Sequence, residues 1–202
     1  IIFSLKSLCR IVIKVIFIGS SGVGKTSLLK VFDPKNGSQS NQTSPTIAPE
    51  NFEMEVTNSR NVTVKLDIWD TAGQEQYQSL TSMYYRSSNV ALLCFDYENR
   101  NDLKNWAKRV LDQAPKCIIV LVITKSDITS KEHLEEMENI AENFTTDPEN
   151  NCQNYFITSS LTRFGVDELL GFIASTDTMI KTDSVGEIVI LKSDTKEEKR
   201  CC

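Results

Sequence analysis

The order of apolar segments in this chain predicts an α/β fold, a six-stranded, mostly parallel sheet flanked by helices on both faces. Strand-like apolar runs alternate with segments of helical spacing, the pattern that crossover connections impose on a parallel sheet. Two of the runs, Val90 to Phe95 and Ile118 to Thr124, are short and apolar and lie between polar loops, as strands buried on both faces do. The first run leads through a glycine-rich loop directly into a helical segment, a strand–loop–helix unit.

Taken in order, Ile11 to Ile18 reads as the central strand, and Ser27 to Phe32 as the helix after the glycine loop. Asp33 to Pro49 is rich in Asn, Ser, Gln, Thr and Pro and reads as a mobile loop. Phe52 to Thr57 and Val62 to Trp69 form two strands around Asn58-Ser-Arg-Asn61, a hairpin. Leu103 to Leu111 and Leu134 to Phe144 carry helical spacing, and Tyr155 to Thr158 is a last short strand. Val166 to Ile173 opens the final helix, whose first turn is favoured by Asp167 and Glu168. The domain is expected over residues 11–175, with residues 1–10 unassigned and residues 176–202 a flexible tail.

Composition narrows the class. A length of 202 residues suits one domain with a full core. A hydrophobic content of 40% with 24% charged residues is ordinary for a globular chain, and a net charge of −5 argues against a general nucleic-acid binder. Cys9, Cys94, Cys117 and Cys152 lie in or beside apolar runs and form no CxxC pair, so they read as small buried thiols rather than disulfides or zinc ligands. His133, the only histidine, sits in a charged helical stretch and reads as part of a solvated face. The chain has no initiator methionine, as a fragment or an incomplete gene model would lack one. Its first eighteen residues are apolar but carry Lys6, Arg10 and Lys14, which with their short length argue against a membrane span.

Two motifs carry the chemistry. Gly19-Ser-Ser-Gly-Val-Gly-Lys25-Thr26 fits the phosphate-loop pattern of Gly, four residues, then Gly-Lys-Thr. Backbone N–H groups in such a loop, from Ser21 through Gly22, Val23 and Gly24 to Ser27, point inward at phosphate, and the helix N-terminus adds positive potential. Lys25 is placed to reach the β- and γ-phosphates, and the Thr26 hydroxyl to hold Mg²⁺. The second motif is Trp69-Asp70-Thr71-Ala72-Gly73-Gln74-Glu75. Asp70 ends a strand where it can hold Mg²⁺ through water, Gly73 can offer an N–H to the γ-phosphate, and Gln74 can orient an attacking water.

Together these motifs give the chain a resemblance to small GTPases of the Ras superfamily, most of all to the Rab family, over roughly residues 11–175. Tyr77-Gln-Ser-Leu-Thr-Ser-Met-Tyr84-Tyr85-Arg86 and the closing Cys201-Cys202 carry the same resemblance. It implies a P-loop NTPase fold, GTP and GDP as ligands, Mg²⁺ as cofactor, and slow GTP hydrolysis that switches vesicle traffic. In the family, Thr124-Lys125-Ser126-Asp127 corresponds to Asn-Lys-x-Asp at the carboxyl end of a strand, where open α/β sheets bind ligands. Asp127 can accept from guanine N1–H and the exocyclic amine, donors that adenine lacks, and Lys125 would lie along the base. Thr124 departs from the usual Asn, as it does in the Rho group.

Thr158-Ser159-Ser160-Leu161 resembles the family's Thr-Ser-Ala-Lys, whose backbone N–H groups reach guanine O6; Leu161 in place of Lys is a departure. Thr46 is the mobile-loop threonine that in relatives binds Mg²⁺ and the γ-phosphate. Here it stands in Pro45-Thr46-Ile47-Ala48, with Ala in place of the usual Gly. No aromatic residue lies between Phe32 and Phe52 to cover the guanine edge, and no arginine lies in that loop, so an arginine finger must come from a partner.

The tail between Asp194 and Arg200 mixes charges and reads as disordered, without the net positive charge of a polybasic anchor. Two terminal cysteines offer two prenyl chains, which is what stable membrane attachment takes. Ile188-Val-Ile-Leu191 is either a docking motif for the prenylation escort protein or an element docked on the core. The resemblance further implies an exchange factor, a GTPase-activating protein, effectors, an escort protein with its prenyltransferase and a GDP-dissociation inhibitor. It places the protein on the cytoplasmic face of an intracellular membrane, cycling with the cytosol. Two rivals stand beside the switch: a divergent nucleotide-binding module that hardly cycles, supported by Thr124, Leu161 and the altered loop, and a P-loop kinase or other ATPase, which Asp127 and Asp70 to Gln74 oppose.

Overall fold

The computed structural model describes residues 11–32, 50–71 and 84–176. Six strands form one sheet in the order β2-β3-β1-β4-β5-β6. They are β1 (Ile11–Ile18), β2 (Glu50–Thr57), β3 (Thr63–Asp70), β4 (Val90–Phe95), β5 (Ile118–Ile123) and β6 (Cys152–Ile157). β2 runs antiparallel to β3, and every other pairing is parallel. The helices are α1 (Lys25–Phe32), α2 (Leu103–Leu111), α3 (Lys131–Thr146) and α4 (Val166–Ser175), with a 3₁₀ turn at Pro148–Asn150.

The sheet is covered on both faces because its central strands send alternate side chains to each. From β1, Ile13, Val15 and Phe17 join Val90, Leu92 and Cys94 of β4 and Val120 and Val122 of β5 in one core. Leu28 and Phe32 of α1 and Val166, Leu169 and Ile173 of α4 close that side. Their neighbours Ile16, Ile18, Ala91, Leu93, Leu121 and Ile123 face the other way, under Leu103, Trp106 and Val110 of α2 and Met137, Ala141 and Phe144 of α3. Burying each large aliphatic side chain contributes about 1.5–3 kcal/mol. β2, at the edge, keeps the exposed–half-buried alternation of a strand covered on one face only.

The strand and helix cores fall where the sequence puts them; the ends differ for local reasons. β3 starts at Thr63 because Val62 belongs to the hairpin, where its N–H and carbonyl bond the Asn58 side chain and N–H at 3.1 and 3.0 Å. Buried Asn58 also donates to the Ala174 carbonyl at 3.2 Å, pinning the hairpin to the end of α4. α3 begins at Lys131, a turn earlier than its apolar spacing indicates, because the Ser130 side chain accepts from the His133 N–H at 3.3 Å and caps it. β6 starts at Cys152, and its polar residues Gln153 and Asn154 conceal that start from an apolar pattern. α4 follows directly on Gly165, its N-cap, whose φ of +70° and approach to the Ile157 carbonyl (an added Cβ would lie 1.9 Å from it) leave no room for a side chain.

Cys94, Cys117 and Cys152 are buried free thiols, and burial pushes the pKa of the first two up to about 12. His133 is exposed but not merely solvated, since its ring stacks on Tyr97 with centroids 3.6 Å apart. Thr46, Gly73, Gln74, Cys9, Ile188 to Leu191, Cys201 and Cys202 lie outside the described residues.

Candidate functional site

Five mutually parallel strands end on one edge, and the residues just beyond those ends build the site. β1 leads into Gly19, β3 ends on Asp70, and β4, β5 and β6 lead into Asp96, Thr124 and Thr158. A parallel sheet presents ligand-binding residues at this edge because its loops and helix N-termini gather there.

The glycine loop spans Gly19 to Gly24, and its three glycines all take positive φ. Gly19, at +128°, has the tightest constraint, since an added Cβ would lie 2.2 Å from the Cys94 carbonyl oxygen. Lys25 opens α1 and is buried, and its ammonium donates to the Gly19 and Ser20 carbonyls at 2.9 and 2.8 Å. Those bonds hold a positive charge across the loop mouth. Burial lowers the Lys25 pKa, and the charge of Asp70 opposes that shift. The adjacent Thr26 hydroxyl donates to Asp70 Oδ2 at 2.6 Å. A hydroxyl and a carboxylate side by side are hard oxygen donors of the kind Mg²⁺ takes, so this pair fits the metal the sequence implies. The parallel pairing of Phe17 with Asp70 sets the pair's position, and Thr71, whose hydroxyl donates to the Phe17 carbonyl at 2.6 Å, locks the turn beyond β3 to β1.

Thr124 is buried, and its hydroxyl lies 2.6 Å from the Val23 carbonyl and 3.1 Å from that of Phe95. It ties the glycine loop to the ends of β4 and β5, so the departure from Asn leaves a polar link between phosphate loop and base segment in place. Lys125 has a left-handed backbone (φ 58°), uncommon outside glycine and a form of strain that collects at functional sites. Its carbonyl accepts from the Ile128 N–H at 3.1 Å and the Thr129 hydroxyl at 2.9 Å, which closes a tight turn. Asp127 is exposed at the tip of that turn and receives the Ser159 hydroxyl on Oδ1 at 2.6 Å. Ser159 Oγ accepts in turn from the Leu161 and Thr162 N–H groups at 3.2 and 3.1 Å, so its own proton is the one given to Asp127. Ser160 is half-buried beside it, and Leu161 is 82% exposed.

Among the described residues, the structure thus brings Ser21 to Ser27, Asp70, Thr124, Lys125, Asp127 and Ser159 to Leu161 to one edge. It adds residues that the motifs do not reveal. Asp96 is buried and pairs with the Lys125 ammonium at 2.7 Å. Burial alone would raise the Asp96 pKa, but hydrogen bonds from Lys125 and Asn99 and the Lys125 charge outweigh it and hold the carboxyl below its ordinary value. Arg163 donates to the Val31 carbonyl at 2.7 Å and pairs with Asp167 at 2.6 Å, fastening the base loop to the end of α1. The one available signal for Asp96 is its place directly after a buried strand at the ligand edge.

Comparison with known proteins gives the family. The Ras family sequence model matches residues 14–179. Ras-related protein Rab-4 of Dictyostelium discoideum is 35% identical over 181 residues, which cover 87% of this chain and 83% of that protein. Ras-related protein Rab-25 of Homo sapiens is 39% identical and that of Bos taurus 38%, each over 138 residues, 65% of this chain and 63% of the relative. The chain belongs to the Ras family of small GTPases. Within that family it is a Rab-like GTPase of vesicle trafficking, and the non-cycling module is not favoured. Ras-family GTPases in general bind GTP or GDP with Mg²⁺, and Rab proteins in general work through regulators and effectors at membranes of vesicle traffic.

Proposed function

We propose that this chain is a GTP/GDP switch whose site comprises the edge described above together with Thr46, Gly73 and Gln74. The observation that carries the reading is the continuity of that edge: Lys25 at the loop mouth, the Thr26–Asp70 pair beside it and Asp127 further along, joined through the Thr124 hydroxyl on Val23. Ser21 to Ser27 hold the phosphates through the loop N–H groups and the start of α1, while Lys25 offsets phosphate charge. Thr26, Thr46 and Asp70 hold Mg²⁺, which when bound neutralises charge on the phosphate oxygens. Gly73 donates its N–H to the γ-phosphate, and Gln74 orients the water that attacks it. Thr124, Lys125 and Asp127, with Ser159, Ser160 and Leu161, enclose and read the guanine. Residues 11–175 form this GTPase domain, residues 176–202 are the tail that serves attachment, and residues 1–10 carry no assigned role.

The metal part of the reading is tested by the Mg²⁺ dependence of GDP release. Chelating Mg²⁺ is expected to speed release from wild type. Thr26→Ala is expected to release GDP fast at all Mg²⁺ concentrations, having lost one of the paired oxygens. A variant with the Mg²⁺ response of wild type would remove Thr26 from the metal site.

For the membrane, no helix among the described residues is long and apolar enough to cross one. Cys201 and Cys202 are proposed to carry prenyl groups. Each buried CH₂ contributes about 0.8 kcal/mol, and a single chain holds reversibly. The double Ser variant is expected to stay in the soluble fraction of its own cells with GDP affinity unchanged, and the double variant pelleting with membranes would contradict the anchor. An escort protein and prenyltransferase would install the groups, and a GDP-dissociation inhibitor would return the lipidated chain from the cytoplasmic face of its membrane to the cytosol. An exchange factor, a GTPase-activating protein and effectors complete the expected partners.

A further inference from the structure

We propose that Asp96 is a positioning residue for guanine recognition, acting through Lys125; this rests on the guanine-site reading above. Both oxygens of the Asp96 carboxylate are committed. Oδ2 takes the Lys125 ammonium at 2.7 Å, and Oδ1 takes the Asn99 side-chain amide at 2.7 Å and its backbone N–H at 3.1 Å. The carboxylate is buried and cannot swing away, while the lysine it holds is half-exposed on the ligand edge. A lysine side chain has several rotatable bonds and, left free, would sample many rotamers. Anchoring its charged end fixes the four-carbon stem in one path, and the left-handed backbone of Lys125 sets where that path starts. The stem then presents a preformed apolar rail to a flat purine while the charge stays engaged elsewhere.

The anchor is itself braced. The turn after Asp96 carries Tyr97, with His133 stacked on its ring and the Arg100 guanidinium 3.9 Å from the ring centroid. Arg100 bonds the Tyr97 carbonyl and pairs with Glu136 at 2.9 Å. α3 thereby holds the Asp96 turn, which holds Lys125. Such a chain of fixed partners lowers the ordering entropy that binding must otherwise overcome.

A double-mutant cycle on GDP release from the full chain tests the inference, with thermal unfolding as a control on the fold. Asp96→Asn is expected to release GDP about tenfold faster, the scale of losing a hydrogen bond between charged groups. Lys125→Met is expected to release it at least as fast. The double variant should be no faster than Lys125→Met, because residues acting through one another are not additive. A purely structural role for Asp96 predicts instead that the two effects multiply, and that result overturns the inference. Should Asp96→Asn fail to fold, Asn99→Ala takes its place in the same cycle. It removes the side-chain bond that orients the carboxylate, and the same two outcomes decide. Wild type that fails to prefer GDP over ADP sinks the guanine reading and this inference with it. A clear GDP preference with multiplying effects sinks this inference alone.

Discussion

Asp127→Asn is expected to bind GDP about 10⁴-fold more weakly than wild type and to prefer xanthosine diphosphate. The loss has the scale seen when a site built for particular hydrogen bonds meets a ligand that cannot make them. The structure also fixes which way the new amide faces. Ser159 gives its proton to Asp127 Oδ1 at 2.6 Å, so asparagine keeps its carbonyl there and turns its amide toward the base. That amide meets the donors of guanine but the carbonyl of xanthine. Ser159 draws its two acceptor bonds from backbone N–H groups, so the arrangement survives the substitution. Competition titration with GDP, xanthosine diphosphate and ADP reads the outcome. A variant that still favours GDP would show that Asp127 does not face the base.

The second large effect belongs to Gln74. In Gln74→Leu, GTP should bind nearly as in wild type while stimulation by a matched GTPase-activating protein disappears. That stimulation, supplied by a partner arginine in Ras-type GTPases, is about 10³–10⁵ in rate. It acts on a water already in line with the phosphate, and leucine offers that water neither donor nor acceptor. Single-turnover hydrolysis with and without activator measures it. Equal stimulated rates in the two proteins would take Gln74 out of the reaction.

The sequence showed most plainly what depends on residues close together in it. The glycine loop, its lysine and threonine, and the Asp70 turn are contiguous motifs, and their strand–loop–helix setting comes from apolar runs that any core requires. The double-faced sheet was legible because β4 and β5 are apolar at every position. Element ends were less legible, since Ser130 decides where α3 begins through one hydrogen bond, and the exposed turn it caps has no apolar signature. Least legible were partners far apart in the chain. Thr124 looks like a loss when set against Asn in a motif, and only the sheet order β1-β4-β5 brings the Val23 and Phe95 carbonyls to its hydroxyl. Asp96 carries no motif and reaches Lys125 across 29 positions because β4 and β5 are neighbours. The motif predicts that Ser159 acts through its backbone; the structure shows its side chain donating to Asp127.

Guanine selection by the carboxyl edge of this sheet underlies the roles proposed for Thr124, Lys125 and Asp127. The most direct measurement is the affinity of nucleotide-free wild-type protein for GDP and for ADP, in Mg²⁺, by calorimetric titration. GDP is expected to bind more tightly than ADP by about 10⁴-fold or more. Equal affinities for the two nucleotides would contradict guanine selection.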